Sequence, residues 1–458
     1  MATHFERSDA APSLEGPRSP AWDLLLICIA VYLATAVGRI HEVFPVLLYV
    51  KPTLLAAAMS IGLYLLQRSP RRRMRLVNSR TTMCLIGIVL WGALSVPAAL
   101  NQGLAFQSWS DFARTIVMCF IVAASVRRAA DVERLFLVYF GVTVVYTAVV
   151  LSRFQLGGGD TWRLGDLYTY DANDLATLIV IAMPLGLYFV IGQRRLLPRL
   201  LALGGLIVLA VGLIWSGSRG GFLAFLAVAA FVLVRMTTIP ARSRIGGLVV
   251  ILVVLLGTAS DKYWTQMQTI VHYDQDYNVT SETGRVRIWK RGIGYMTDHP
   301  LLGVGIRNFP VAEGTISPQA RLQERGIGVW WGAAHNTYVQ VGAELGFPGL
   351  LLYLGVIGTA WLSLRRVSRR AFRTHPHGGE VSRLAQSLMA SLVGFAAGSF
   401  FLSLAYADMV YMLIALAVGL VKCARGDTQP DPAPVRLRHR SHSGLRHQSG
   451  DVSVNPTH

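Results

Sequence analysis

A histidine followed by an asparagine stands where a long polar segment of the chain runs into an apolar one. His335 and Asn336 open the stretch HNTYVQVGAELGFPG, and the apolar run LLLYLGVIGTAWL follows it directly. His335 should lie near a helix N-terminus, where the positive end of the helix dipole disfavours imidazolium and keeps the ring neutral. A neutral imidazole can act as a base, and Asn336 could orient a neighbouring group. A structural role for His335 is the alternative.

Glycine and proline predict a break in this helix before the apolar run begins. Gly346 and Pro348 are both unfavourable in a helix interior. Residues 335–345 could therefore form a separate short helix that holds His335 over the membrane surface. Glu344 falls on roughly the opposite face of that helix, so we do not expect it to be a direct partner of the histidine.

An arginine among glycines, in the stretch GSRGGFLAF, could form an anion site. Arg219 lies in a very short connection between two apolar runs, where Gly217, Gly220 and Gly221 would let a ligand approach the backbone. A helix is predicted to begin here, so free N–H groups add to a guanidinium that can bind phosphate in a bidentate manner. The alternative is an interfacial arginine that reaches lipid phosphate.

Four basic residues lie close together in the stretch GRVRIWKRG, namely Arg285, Arg287, Lys290 and Arg291. In a helix, Arg287 and Arg291 would share one face, whereas Arg285 would point elsewhere. Taken alone, such a cluster is typical of a solvated basic helix.

Acidic and amide side chains mark the starts of two further predicted helices. Asp171, Asn173 and Asp174 should cap the helix that begins near residue 173, and they could also contact a sugar. Asp408 stands at the outer end of the last apolar run, where a carboxylate can mark a functional site or simply cap a helix. The Asp-x-Asp spacing at 274–276 is typical of metal-dependent glycosyltransferases, but no βα framework for a nucleotide-sugar accompanies it.

The elements that must hold these residues are apolar helices. The chain has 458 residues, of which 53% are hydrophobic and only 15% charged, which is too apolar for an ordinary soluble protein of this size. Runs such as LFLVYFGVTVVYTAVVL approach the roughly 20 residues that cross a bilayer. Because spanning backbone must satisfy its own hydrogen bonds, we predict an all-α polytopic membrane protein.

About twelve transmembrane helices are predicted on this length criterion. Their approximate ranges are 22–38, 43–66, 81–100, 109–126, 133–153, 173–191, 196–215, 219–236, 244–260, 335–364, 384–403 and 405–423. The span 43–66 is interrupted by Lys51-Pro52, and the span 109–126 is short and carries two charges.

Arginine placement predicts the orientation of the spans. Short cytoplasmic loops are rich in Lys and Arg, and segments 67–80 and 365–383 hold six arginines each. The intervening short segments 101–108 and 404–408 hold none. Both termini are therefore predicted to face the cytoplasm.

The remaining segments complete the predicted organisation. Residues 1–21 and 424–458 should be disordered and cytoplasmic, and the basic tail should be attracted to anionic lipid. Spans one to nine fill residues 22–260, and the last three fill residues 335–423. The outward loop 261–334 is rich in aromatic residues, which indicates a folded cap over the membrane.

The net charge of +18 could indicate a nucleic-acid partner in a soluble protein. Here the arginines lie in short loops between apolar runs, and the sequence has no basic domain with interleaved aromatic residues. We therefore predict membrane lipid and no nucleic acid as a partner.

Three stretches resemble the O-antigen ligase and polymerase superfamily of bacterial envelope glycosyltransferases. They are GSRGGFLAF (217–225), TGRVRIWKRGIGYMTDHPLLGVGIRNF (283–309) and AHNTYVQVGAELGFPGLLLYL (334–354). The resemblance implies a GT-C-like membrane fold with a large periplasmic loop domain, in the bacterial inner membrane. It also implies an enzyme that uses no metal, no other cofactor and no nucleotide-sugar.

The resemblance assigns roles to individual residues. Arg219 matches the arginine that the family uses near a diphosphate. Arg285 matches an arginine at the start of a stretch in the large loop, and Arg287 is the alternative for that match. His335 matches the histidine proposed to activate the acceptor hydroxyl, with Asn336 beside it as a further substrate-binding candidate.

The implied activity is transfer of a glycan from an undecaprenyl diphosphate carrier to an acceptor hydroxyl at the periplasmic face. Lipid A-core is the favoured acceptor, which would make the protein a ligase. A glycan acceptor would make it an O-antigen or exopolysaccharide polymerase, and a protein acceptor an O-oligosaccharyltransferase. A transporter or flippase is the alternative from another class, although its polar residues should lie along a path through the membrane.

Overall fold

The computed structural model describes residues 21–426 except for 45, 157–162, 165–169, 193–194, 273–276, 282–283, 327, 329–330 and 375–377. The described part of the chain is helical and contains no β-strand. The Asp-x-Asp triplet and nearly all of the two predicted disordered segments lie outside the described residues.

The helices follow one another along the chain with short connections, except between α11 and α16. They are α1 (Leu24–Ala36), α2 (Ile40–Val43), α3 (Val46–Val50), α4 (Pro52–Leu66), α5 (Arg80–Ser95), α6 (Gln102–Ser125), α7 (Ala129–Leu156), α8 (Ala172–Gly192), α9 (Leu196–Trp215), α10 (Arg219–Arg235), α11 (Ala241–Thr258), α12 (Asp261–Gln268), α13 (Tyr277–Thr280), α14 (Arg285–Asp298), α15 (Phe309–Thr315), α16 (Thr337–Thr374), α17 (Gly378–Gly398) and α18 (Asp408–Gly426).

A helix stands at each predicted span, and six helices in the described chain are both long and apolar enough to cross a membrane. These are α7, α8, α9, α11, α16 and α17, and α1, α4 and α5 are shorter apolar helices. Of the six, α8 and α17 are the most buried, and they pack against each other. The chain is therefore a polytopic helical membrane protein, while the count of twelve spans and the periplasmic loop domain stay predictions.

Two predicted spans differ from the helices observed. The segment 43–66 is divided at Lys51, whose φ of 47° separates α3 from α4. The segment 101–108, predicted as a short outward loop, belongs instead to α6. Asn101 starts that helix early because its side chain accepts the backbone N–H of Leu104 at 3.0 Å.

Arginines also build the end of the bundle where the arginine-rich loops lie. Arg72 is buried, with its Nη1 2.6 Å from a carboxylate oxygen of Asp23 and its Nε donating to the carbonyl of Ser125. Arg127 pairs with the buried Asp131 at 3.0 Å. Because Asp23 caps the first turn of α1, this network ties the start of the bundle to two later loops.

The break predicted within the helix that follows His335 is confirmed. Inside α16, Gly346 has a φ of 67° and a ψ of −172°, which divides the helix into a short N-terminal part and a long apolar part. This backbone region is accessible essentially to glycine alone.

Neighbouring segments satisfy the backbone groups that the break releases. The N–H of Phe347 donates to the carbonyl of Pro300 at 2.9 Å, and the indole N–H of Trp91 donates to the carbonyl of Leu345 at 3.0 Å. A Cβ at Gly346 would lie 2.3 Å from the carbonyl oxygen of Leu301. The large loop therefore docks directly on the break.

Replacing Gly346 tests the importance of this docking. Gly346→Ala should destabilise the fold by about 1–3 kcal/mol from backbone strain, with a further cost from the clash with the loop. The measurement is thermal unfolding of the purified protein in detergent. Gly358→Ala, in the same helix, is the matched control, because open space surrounds its Cβ position. Equal melting temperatures for the two variants would contradict this account.

Candidate functional site

His335 lies two residues before α16, in a strained backbone conformation. Its φ is 48°, and its backbone N–H donates to Oγ of Ser403 at 2.9 Å. Ser403 belongs to the connection between α17 and α18, so the histidine is held against the last two long helices. The side chain is half-buried.

The backbone on either side of His335 is held by other elements. The indole N–H of Trp289, on α14, donates to the carbonyl of Ala334 at 3.0 Å. The hydroxyl of Thr337 donates to the carbonyl of Leu402 at 2.7 Å and accepts the N–H of Leu404. The large loop and the α17–α18 connection therefore determine where the imidazole stands.

The surroundings of His335 favour a neutral imidazole. Burial lowers the pKa of His335, the positive charge of Arg285 lowers it further, and Asp171 opposes both effects. A histidine with a lowered pKa is unprotonated over more of the neutral range and can accept a proton.

A cavity of about 310 Å³ gathers residues from six segments. His335 is not among its lining residues, but Arg285, whose charge acts on His335, is one of them. The lining consists of Arg163, Asn173, Gly217, Arg219, Gly220, Gln266, Asn278 and Arg285. Three of these side chains are cationic and, among the described residues of the lining, none is a carboxylate. Such a cavity has the charge and the donors to bind a phosphate or diphosphate.

Arg219 stands at the first position of α10, as the sequence predicted. Ser218 caps the helix by accepting the N–H of Gly221, and the guanidinium of Arg219 donates to the hydroxyl of Thr269 at 2.6 Å. The N-terminus of a 17-residue helix adds partial positive charge to the same cavity.

The two candidate arginines of α14 have different environments. Arg285 begins the helix, is half-buried and lines the cavity, and its charge acts on His335. Arg287 is exposed and is not part of the cavity lining. Arg291 pairs with Glu313. The structure therefore favours Arg285 over Arg287 as the arginine near an anion.

Sequence reasoning did not identify Arg163, which is the third cation of the cavity. Its Nε donates to the carbonyl of Ser216 at 2.7 Å, and its Nη2 donates to Oδ1 of Asn173 at 2.9 Å. One signal was present, since Arg163 is the single basic residue of the predicted outward loop 154–172.

Asn336 holds backbone in place. It is 2% exposed, and its Oδ1 accepts the N–H groups of Tyr338 and Val339 at 2.9 and 3.1 Å. These bonds are those of a helix N-cap. Asn336 therefore fixes the start of α16 next to His335, while its role as a substrate-binding residue stays a prediction.

Asp171 caps α8 as predicted. Its Oδ1 accepts the backbone N–H groups of Asn173 and Asp174, both at 2.7 Å. Asp408 is the first residue of α18, and its carboxylate accepts a hydrogen bond from the hydroxyl of Thr115 at 2.8 Å.

The fold and the cavity define a polytopic helical membrane protein with a cationic site at one end of its helices. A family model described as O-antigen ligase matches residues 204–354, which is about a third of the chain and includes Arg219, Arg285 and His335. The match confirms the resemblance of this part of the chain to the O-antigen ligase family. No curated protein matches the chain.

Substitution of Asn336 tests its capping role. Asn336→Ala should lower the stability by about 0.5–2 kcal/mol, whereas Asn336→Ser should keep most of it, because serine is also a good N-cap. Thermal unfolding in detergent measures both. If the melting temperature is unchanged in Asn336→Ala, the capping role is wrong.

Proposed function

We propose that the protein is a glycosyltransferase that moves a glycan from an undecaprenyl diphosphate carrier to an acceptor hydroxyl. The observation that supports this most is the cavity with three guanidinium groups beside a histidine whose pKa is lowered. Lipid A-core is our favoured acceptor, as in a ligase, and a glycan or a protein hydroxyl are the alternatives.

The arginines act on the leaving group. As the bond between the anomeric carbon and the diphosphate oxygen breaks, negative charge develops on the diphosphate. Arg219 and Arg285, with Arg163 beside them, are already in place to neutralise it, so little reorganisation is needed during the reaction. This chemistry needs only side chains of the chain itself.

His335 acts on the acceptor. Its neutral imidazole takes the proton of the acceptor hydroxyl while that oxygen attacks the anomeric carbon. The electron pair of the broken bond leaves with the diphosphate, and a single displacement of this kind inverts the anomeric configuration. The products are the glycosylated acceptor, undecaprenyl diphosphate and a protonated His335.

The helix ends support a periplasmic site in the inner membrane. The starts of α8 and α10 and the end of α9 contribute to the cavity or adjoin it, whereas Arg195 and Arg235 stand at the opposite ends of α9 and α10. Because arginine-rich ends favour the cytoplasm, the cavity belongs on the other side. A lipid-linked donor would reach it from the outer leaflet.

Two arginines of one helix provide a matched test. Arg285→Ala should lower transfer roughly 10²–10³-fold, because a group that stabilises developing charge is lost. Arg287→Ala should leave transfer within about twofold of the wild type, since surface substitutions are usually nearly neutral. The measurement is release of free undecaprenyl diphosphate and formation of glycosylated acceptor by purified protein.

The same assay separates a transferase from a transporter. A flippase would release no free undecaprenyl diphosphate in detergent, so absence of release by the wild type would contradict the proposal. Equal loss of activity in both arginine variants would contradict the assignment of Arg285.

The pH profile tests His335 as the base. The pKa of His335 in the folded protein lies below the ordinary value of about 6.5. The unprotonated form therefore still predominates at pH 6.5. Transfer should fall only as the pH is lowered further, through the folded-state pKa. His335→Ala should lower transfer roughly 10²–10⁴-fold and remove the acidic limb of the profile.

Another histidine of the large loop serves as the control. His299 is exposed and precedes Pro300, so His299→Ala should keep both the rate and the pH profile. Undiminished transfer in His335→Ala, in protein that folds as the wild type does, would defeat the assignment.

A further inference from the structure

A second cavity, of about 280 Å³, adjoins the cationic site at the start of α8. Asn173 lines the first cavity, and the next residue, Asp174, lines the second. The N–H groups of both residues bond to the same carboxylate of Asp171. The N-terminus of α8 therefore separates two adjacent spaces.

His335 is bonded directly to the wall of this second cavity. Ser403, which accepts the backbone N–H of His335, is among its lining residues. Arg285, whose charge acts on the same histidine, lines the first cavity. The histidine is therefore linked to one cavity through its backbone and to the other through electrostatics.

The charges of the second cavity differ from those of the first. Arg39 and Arg307 line it together with Asp111, Asp174 and Asp408. Two cations face three carboxylates, so the space lacks the excess positive charge that a diphosphate requires. Such a lining suits a neutral polyhydroxylated ligand instead. Carboxylates accept hydrogen bonds from hydroxyl groups, and guanidinium groups donate hydrogen bonds to hydroxyl oxygens.

One of these groups retains hydrogen-bonding capacity. Within the described part of the chain, the Nε of Arg39 is buried without a hydrogen-bond partner. The guanidinium of Arg39 is otherwise held by Glu42 at 2.8 Å and by the ring of Tyr170. The guanidinium of Arg39 therefore has one donor that a ligand could use without displacing an existing hydrogen bond.

Strained backbone conformations also occur at the second cavity and at His335. Arg39, Arg307 and His335 are three of the four non-glycine residues with positive φ in the described chain, with φ values of 45°, 55° and 48°. Such conformations are unfavourable for side chains with a Cβ, and they are found preferentially at binding sites.

We propose that the second cavity is the acceptor subsite and that it holds a sugar ring whose hydroxyl is directed to His335. This inference rests on the proposed function. A volume near the lower end of the range for small-molecule pockets suits a single ring. An extended peptide would need a groove instead, so the geometry points to a saccharide acceptor rather than to a protein hydroxyl.

The test compares Michaelis constants for the two substrates in purified full-length protein. Asp174→Asn replaces the carboxyl group with an amide of the same shape and leaves the Asp171 cap intact, so the KM for a saccharide acceptor should rise roughly ten- to hundredfold. The KM for the carrier-linked donor should stay within about twofold, because substitution of a residue that does not contact the donor has little effect on donor binding.

A second variant and a control keep the test sharp. Arg307 is exposed, so the Arg307→Gln variant should fold normally. It should raise the KM for the acceptor in the same way as Asp174→Asn. Asp298→Asn, at the exposed end of α14, should change neither constant. Thermal unfolding of each variant verifies that it folds.

The outcomes distinguish this inference from the proposed function. If the wild type transfers glycan to a saccharide but Asp174→Asn and Arg307→Gln leave the acceptor KM unchanged or alter the donor KM, the subsite is wrong and the function stands. If the wild type transfers only to a serine- or threonine-containing peptide, the saccharide assignment is wrong. If it transfers to no acceptor and releases no undecaprenyl diphosphate, both proposals fail.

Discussion

The interruption of α16 at Gly346 is the constraint on which the site depends. Gly346, with a φ of 67°, divides the short N-terminal part of α16, which follows His335, from the long apolar part. The large loop docks on this break, where the carbonyl of Pro300 accepts the N–H of Phe347, and Trp91 donates to the carbonyl of Leu345. Backbone polar groups in a membrane protein must be satisfied internally, so this docking both permits the break and fixes the histidine.

Electrostatic complementarity explains how one end of a helical bundle can serve a lipid-linked substrate. The cationic cavity lies where helices begin, so N-terminal N–H groups and guanidinium groups act together on an anion. Burial lowers the pKa of His335, and the charge of Arg285, which lines this cavity, lowers it further. In the proposed mechanism, the arginine that binds the diphosphate therefore also helps to keep the neighbouring imidazole unprotonated.

Much of the fold could be predicted from the sequence because apolar runs and helix-start signals are local. The break at Gly346, the cap by Asp171 and the start of a helix at Arg219 were all predictable in this way. The role of Arg163 was not, because its partner Ser216 lies 53 residues away. Likewise, local spacing places Arg285 and Arg287 on different faces of α14, but only the tertiary structure shows that the face of Arg285 is the one that lines the cavity.

A structure of the protein with a lipid-linked diphosphate bound tests the central claim most directly. The account predicts density for the diphosphate in the cavity beside α10, with its oxygens within hydrogen-bond distance of the guanidinium groups of Arg219 and Arg285. The imidazole of His335 should face the anomeric carbon of the attached sugar. A diphosphate bound elsewhere on the chain, with this cavity empty, would contradict the account.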